Sequence, residues 1–306
     1  MGNTPVPGAK GLRRSLHFVP GGNDRMFEKA LATNADSLIL DLEDSVTPEN
    51  KEAARDHVCN WITETDFGIQ ECLVRINPQD TPWGEDDLRA VMEVLPDGLV
   101  LPKIATLQDV DSIASVITEI EKNQEAVPGA VSLLLIGTEV AEAVFNLPAM
   151  AKHDRVDAVT WGAEDLSGAL GAKAKRDAQG NYLEVFSFVR STCLLAAVAG
   201  NAQPIDAVYV DIKNKEGLAW ECKAAADMGY TGKVTIHPSQ IEIVNAAFTP
   251  SSAEIEEASE LIAAFEENQK HGKMAFTFKG QMVDVPHLQH AKKVLLIAAR
   301  IAKEIN

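Results

Sequence analysis

The sequence is short of positive charge. Its 28 lysines and arginines face 45 acids, giving a formal net charge of −17. Nucleic-acid binding needs a basic footprint for the phosphates, so DNA and RNA are excluded as main partners. An anionic small molecule is not excluded, because the local field of a cleft outweighs net charge. Only four cysteines occur, Cys59, Cys72, Cys193 and Cys222, and no pair has C-x-x-C spacing. Zinc and dithiol motifs are thus missing, and reduced thiols in a cytoplasmic protein are expected. Long hydrophobic runs are missing too. The most apolar stretches, 131–136 and 193–199, are far too short to span a bilayer. No apolar h-region follows the basic residues of MGNTPVPGAKGLRRS, so no signal peptide is expected. Val6 stands where myristoylation wants Ser or Thr. There is no low-complexity tract.

What the sequence does contain is a rhythm. Eight short runs rich in Val, Ile and Leu recur, at 15–19, 37–42, 72–76, 98–101, 132–136, 157–161, 206–210 and 233–236. They are continuous rather than alternating, as parallel strands covered on both faces require. The segments between carry helical spacing, as at Ile113, Val116, Ile117 and Ile120. Helix-start signals recur, including Thr47-Pro48 and Pro238-Ser239. Eight strand–helix units over about 240 residues predict a (β/α)₈ TIM barrel. An open doubly wound sheet shares the local pattern, but the first turn, Val19-Pro20-Gly21-Gly22-Asn23, lacks G-x-G-x-x-G.

The barrel domain is expected over 13–250. Residues 251–306 read as a C-terminal helical and hairpin lid extension rather than a second core. It comprises an acidic helix at 253–269, a hairpin at 274–283 turning at Lys279-Gly280, and a last helix at about 286–305.

Barrel enzymes carry their sites where strands end. The polar residues just past the runs are Asp41, Glu43 and Asp44, then Arg75 and Asn77, Lys103, Glu139, Glu164 and Asp165, Asp211 and His237. Glu139 and Asp165 follow adjacent strands. Two carboxylates without a thiolate or His cluster suit a hard cation, with magnesium the default. A helix cap or salt-bridge role explains them equally well on spacing alone. Arg75, inside the run 72–76, must face the mouth or lose its solvation. Its fork suits a carboxylate or an enolate-like oxygen, and a pairing with Glu43 or Glu139 is compatible with that. His237 fits a base, a ligand or a structural hydrogen-bonder. His17 reads as a core or wall residue. Gly162 reads as a bend that lets backbone approach a ligand.

These blocks stand in a familiar order: Phe18-Val19-Pro20-Gly21, Leu40-Asp41-Leu42-Glu43-Asp44, Val74-Arg75-Ile76-Asn77, Leu101-Pro102-Lys103, Trp161-Gly162-Ala163-Glu164-Asp165-Leu166, Ile236-His237-Pro238-Ser239-Gln240 and Gly280-Gln281-Met282-Val283-Asp284. Together they resemble the citrate lyase β-subunit-like branch of the HpcH/HpaI aldolase family, over roughly residues 13 to 300. The resemblance implies a Mg²⁺-dependent carbon–carbon lyase. Its substrate would be a β-hydroxyacyl-CoA thioester of malyl-CoA or citramalyl-CoA type, cleaved to acetyl-CoA or a homologue and an oxo-acid. It implies Glu139 and Asp165 as metal ligands, with Glu139 also meeting substrate. Arg75 would bind substrate and steady the enolate, and Glu43 and Asp284 would complete the catalytic set. Asp284 would reach a neighbouring subunit's site in a homotrimer or hexamer. Coenzyme A phosphates need basic partners, for which Arg13, Arg14, Arg25 and Lys29 are the candidates. Two departures stand out: Ala105 occupies the place of a common family Glu, and Gly137-Thr138 intervenes before Glu139. Alternatives are a pyruvate-dependent aldolase without CoA, a citrate lyase β-type subunit in a complex, and an acyl-CoA thioesterase.

Overall fold

The computed structural model describes residues 12–305. The strands are β1 (Ser15–Pro20), β2 (Ser37–Asp41), β3 (Glu71–Arg75), β4 (Gly98–Leu101), β5 (Ser132–Ile136), β6 (Val156–Thr160), β7 (Gln203–Asp206) and β8 (Gly232–Thr235). They pair in parallel and in chain order, and β8 returns to β1 to close the barrel. Helices α1 (Asp24–Leu31), α2 (Lys51–Glu64), α3 (Gly84–Glu93), α4 (Leu107–Asn123) and α5 (Ala141–Met150) each follow a strand. So do α6 (Ala163–Leu170) with α7 (Glu184–Gly200), α8 (Lys215–Met228) and α9 (Ile241–Ala247). This is a (β/α)₈ barrel, as the eight-fold rhythm predicts.

Every strand sends a buried apolar side chain into the barrel, and β5 sends two: Leu16, Ile39, Leu73, Val100, Leu134 with Ile136, Ala158, Ile205 and Val234. Burying a large aliphatic side chain contributes about 1.5–3 kcal/mol, so this layer is a main source of closure. Strand alternation turns the opposite parity toward the helices. Helix α4 meets that layer with Val110, Ile113, Ile117 and Ile120, all buried. Its start is fixed by a capping box between Thr106 and Asp109.

Seven strands fall within one residue of their expected bounds. The seventh does not. It was expected at 206–210 and lies at Gln203–Asp206. Asp206, expected to open the strand, closes it, and the fold pairs its charge. Its carboxylate accepts from Arg190 Nε at 3.0 Å, Lys233 Nζ at 2.8 Å and Trp161 Nε1 at 2.9 Å. Fully paired, it is tolerated inside the barrel wall. Asp211 consequently lies exposed in the following loop.

The chain divides into two compact units, the first ending at Asn245 and the second beginning at Ala246. The second contains α10 (Ser252–Lys270), the hairpin β9 (Phe276–Phe278) and β10 (Gln281–Val283), and α11 (Val285–Ile305). It has a small apolar cluster of its own, Ala258, Leu261, Phe265, Val283 and Ala291. This differs from the expected coreless extension. The aromatic ring of Phe265 meets Phe276 edge-on with centroids 4.8 Å apart, which gives the hairpin something to pack on.

Candidate active site

The strand ends of the barrel open into a cavity of about 560 Å³. Its lining includes Phe18, Asp41, Asp44, Arg75, Glu139, Thr160, Asp165 and His237. The acidic and basic candidates Lys29, Asp41, Asp44, Arg75, Glu139, Glu164, Asp165 and His237 all line this one mouth.

Arg75 is the hub. It lies opposite Asp41 in the β2–β3 register. Its Nε and Nη2 each donate to an Asp41 carboxylate oxygen at 2.7 Å. Its Nη1 lies 2.9 Å from Glu43 Oε2, and its guanidinium stacks on the Phe18 ring with 4.5 Å to the centroid. Burial disfavours its charge, but Asp41, Glu43 and Glu139 more than compensate and hold it cationic. Glu43 sits between two cations, because Lys103 Nζ donates to its other oxygen. Lys103 Nζ also stands 3.4 Å from Asp44 and 3.7 Å from Asp165.

Glu139 is buried at 4% exposure. Desolvation, with Glu43 and Asp165 nearby, pushes its carboxyl up to about 8. The Lys103 backbone N–H donates to Glu139 Oε2 at 2.6 Å and opposes the rise. That N–H is aimed by an uncommon left-handed backbone at Lys103, φ 50°. Gly162 was expected to admit a ligand. What lies against it is Glu139: a Cβ at position 162 would stand 2.6 Å from Glu139 Cγ. The glycine makes room for the carboxylate.

Among the described residues no group of three or more His, Cys, Asp or Glu forms a ready metal cage. Glu139 and Asp165 nevertheless fit a hard divalent cation. Their donors are carboxylate oxygens, Glu139 would release its proton to such an ion, and the ion takes its remaining ligands from substrate and water.

Other candidates have different places or partners. Arg13 and Arg14 precede β1, so they lie at the N-terminal end of the barrel, roughly 20 Å of strand from the mouth. Arg13 is bound to Glu71 and Asp157, and Arg14 to Asp36. They are corrected from ligand contacts to parts of the barrel's closed end. Arg25 and Lys29 lie on α1, both exposed, and Lys29 lines the cavity. His237 caps the turn after β8, its Nδ1 accepting from Ser239 N at 3.2 Å, and it also lines the cavity. Glu164 pairs with Lys175. Asp284 belongs to the second unit, with Oδ1 2.6 Å from His287 Nδ1.

Sequence reasoning missed Lys51. Its buried amine donates to Leu42 O at 2.9 Å, Glu43 O at 2.6 Å and Asn77 Oδ1 at 2.7 Å, so it locks the loop that carries Glu43. Only its place in the first turn after the Asp41–Asp44 block was visible, and that does not separate it from a surface lysine.

A closed parallel barrel with a charged mouth at its strand ends defines the class to which this protein belongs. The chain is a member of the HpcH/HpaI aldolase/citrate lyase family, whose model matches residues 14–238. It is 35% identical over 289 residues to a (3S)-malyl-CoA thioesterase of Cereibacter sphaeroides, covering 94% of this chain and 95% of that one. It is 33% identical to mitochondrial citramalyl-CoA lyase of Mus musculus, covering 95% and 88%. The protein CitE of Mycobacterium tuberculosis, solved with magnesium, acetoacetate and coenzyme A, is similar at 36% identity. Its TM-score is 0.78, covering 95% of this chain and 99% of that one.

Proposed function

We propose that this protein is a Mg²⁺-dependent carbon–carbon lyase that cleaves a β-hydroxyacyl-CoA thioester to acetyl-CoA, or a homologue, and an oxo-acid. The observation that carries the reading is one cavity lined by two carboxylates, Glu139 and Asp165, and by a buried cation, Arg75. Bound there, the magnesium ion would supply Lewis acidity toward the oxygens of the oxo-acid half.

The chain's own residues do the rest. Cleavage breaks the bond between the α and β carbons of the acyl group. The β-hydroxyl loses its proton, the β-carbon becomes the carbonyl of the oxo-acid, and the electron pair moves onto the thioester as an enolate. Arg75, fixed by Asp41 and Glu43, stabilises that developing negative charge more than the neutral ground state. Glu43 sets the guanidinium's orientation beside Lys103. A proton then goes to the enolate carbon, for which the family pattern assigns Asp284 of a neighbouring subunit in a homotrimer or hexamer. Lys29 is the remaining lining base for CoA phosphates.

A second reading is favoured by the thioesterase relative. Attack of water on the thioester in the same mouth would give a free acid and CoA. One assay separates the two. Malyl-CoA and citramalyl-CoA are incubated with magnesium, and acetyl-CoA, oxo-acid and free thiol are measured. Acetyl-CoA with an equivalent of oxo-acid supports the lyase, and free thiol without oxo-acid supports the thioesterase. Absence of both products across the panel refutes the CoA-thioester reading. Asp165→Asn and Glu139→Gln are expected to abolish the magnesium response.

A further inference from the structure

The described buried polar side chains that line the mouth are paired, except at Thr160. His17, Asp41, Arg75 and Glu139 each have a hydrogen-bond partner. Thr160 is 3% exposed, and its Oγ1 has no hydrogen-bond partner among the described residues. It ends β6, two residues after Ala158, which faces the barrel interior. Alternation along the strand puts Thr160 on that same face, toward the cavity that it lines. Its carbonyl is already used, accepting from Gly137 N at 3.0 Å. Its neighbours in the lining include the apolar Phe18, Ile136, Ala207 and Val208.

A buried hydroxyl without a partner lowers stability, and such groups call for an explanation. Valine would fill the same volume without that cost. A hydroxyl at this place therefore fits a ligand that carries the missing partner. Its position narrows the ligand. Thr160 stands two residues before Gly162, which touches Glu139, and five before Asp165. That is the side of the mouth where the oxo-acid half belongs.

We propose that Thr160 is a specificity-determining residue. Its hydroxyl hydrogen-bonds an oxygen on the acyl portion of the substrate, a hydroxyl or a carboxylate, and disfavours acyl groups that lack an oxygen there. This rests on the thioester reading above. A site that hydrogen-bonds a substrate oxygen rejects analogues lacking it far more strongly than an apolar wall does.

Thr160→Val and Thr160→Ser test it by opposite movements of stability and function. Without ligand, Thr160→Val is expected to melt at or above the wild-type temperature, because the unpartnered hydroxyl is gone. With magnesium and malyl-CoA its kcat/KM is expected to fall about tenfold or more, while Thr160→Ser stays within about threefold. Retention of kcat/KM within about twofold on malyl-CoA and citramalyl-CoA overturns the proposal. So does a melting temperature lowered by several degrees, which would make the hydroxyl part of the fold. If the wild type turns over neither thioester, the lyase reading fails by itself. Calorimetry with magnesium and an oxo-acid such as pyruvate or glyoxylate then decides. About tenfold weaker binding by Thr160→Val supports the proposal, and equal or no binding by both proteins overturns it.

Discussion

Arg75 and Asp41 meet fork to fork across β2 and β3, with two bonds of 2.7 Å and both side chains nearly buried. One residue thus serves the fold and the mouth together. Removing Asp41 leaves a buried guanidinium short of a partner, which typically costs about 3–5 kcal/mol. Asp41→Asn is expected to lose stability of that order in urea unfolding. A loss below about 1 kcal/mol would mean that Glu43 alone satisfies Arg75. Burial pushes the Asp41 carboxyl up, but Arg75 overrides it and the net shift is downward. A carboxyl depressed on folding adds stability above its unfolded value, lost as pH falls through the folded one. The pair is therefore expected to hold until the solution is more acidic than the ordinary carboxylate range.

Gly162 sets the position of Glu139. Gly162→Ala brings a methyl to 2.6 Å of Glu139 Cγ, closer than carbon atoms tolerate, so the carboxylate must shift. Displacing a ligand's support typically costs about 10–100-fold in metal affinity. Calorimetric titration of Gly162→Ala with magnesium is expected to show weakening in that range, with circular dichroism unchanged. Wild-type affinity would separate Glu139 from the cation.

At the proposed cation site Lys103 would compete with the metal for Asp165. Its amine pairs with Glu43 and stands 3.7 Å from Asp165. Deleting one positive charge about 4 Å from a partly solvated cation site is worth on the order of 1 kcal/mol. Lys103→Met is expected to bind magnesium roughly five times more tightly, while its unfolding free energy falls because buried Glu43 loses a partner. Weaker magnesium binding in this variant would show that the lysine helps to build the cation site.

The barrel was legible because parallel strands covered on both faces must be apolar throughout, and 134–136 or 99–101 admit no other reading in that context. The seventh strand was not, since the paired Asp206 carries charge into the wall while the apolar 207–210 lie beyond it. Strand-end logic found Arg75, Glu139 and Asp165 because position along a strand fixes which end a side chain serves. Arg13 and Arg14 were misread on the same logic, grouped by closeness in sequence to a loop that begins one strand-length away. Thr160 was invisible, because a missing hydrogen-bond partner is a property of three-dimensional neighbours.

His17 turns the mouth into a pH reporter. Its ring is buried in the β1–β8 wall with Nδ1 3.0 Å from Thr235 Oγ1. Desolvation, aided by His237, lowers it from 6.5 to about 4, against the pull of the Thr235 hydrogen bond. Between those values the unfolded chain binds a proton that the folded chain refuses, so stability falls as pH drops from about 6.5 to 4. The depression corresponds to on the order of 3 kcal/mol at the acid end of that window. Below about pH 4 both states are protonated and the penalty becomes constant. His17→Asn keeps an amide nitrogen near Thr235 and removes the titration. Its unfolding free energy is expected to decline less steeply than the wild type's across pH 6.5 to 4, with the two slopes converging above pH 7. In the wild type the imidazole signals of His17 are expected to stay those of a neutral ring down to about pH 4, read by nuclear magnetic resonance. Titration near 6.5, or parallel stability curves for the two proteins, would show that the wall admits enough water to solvate the charged ring.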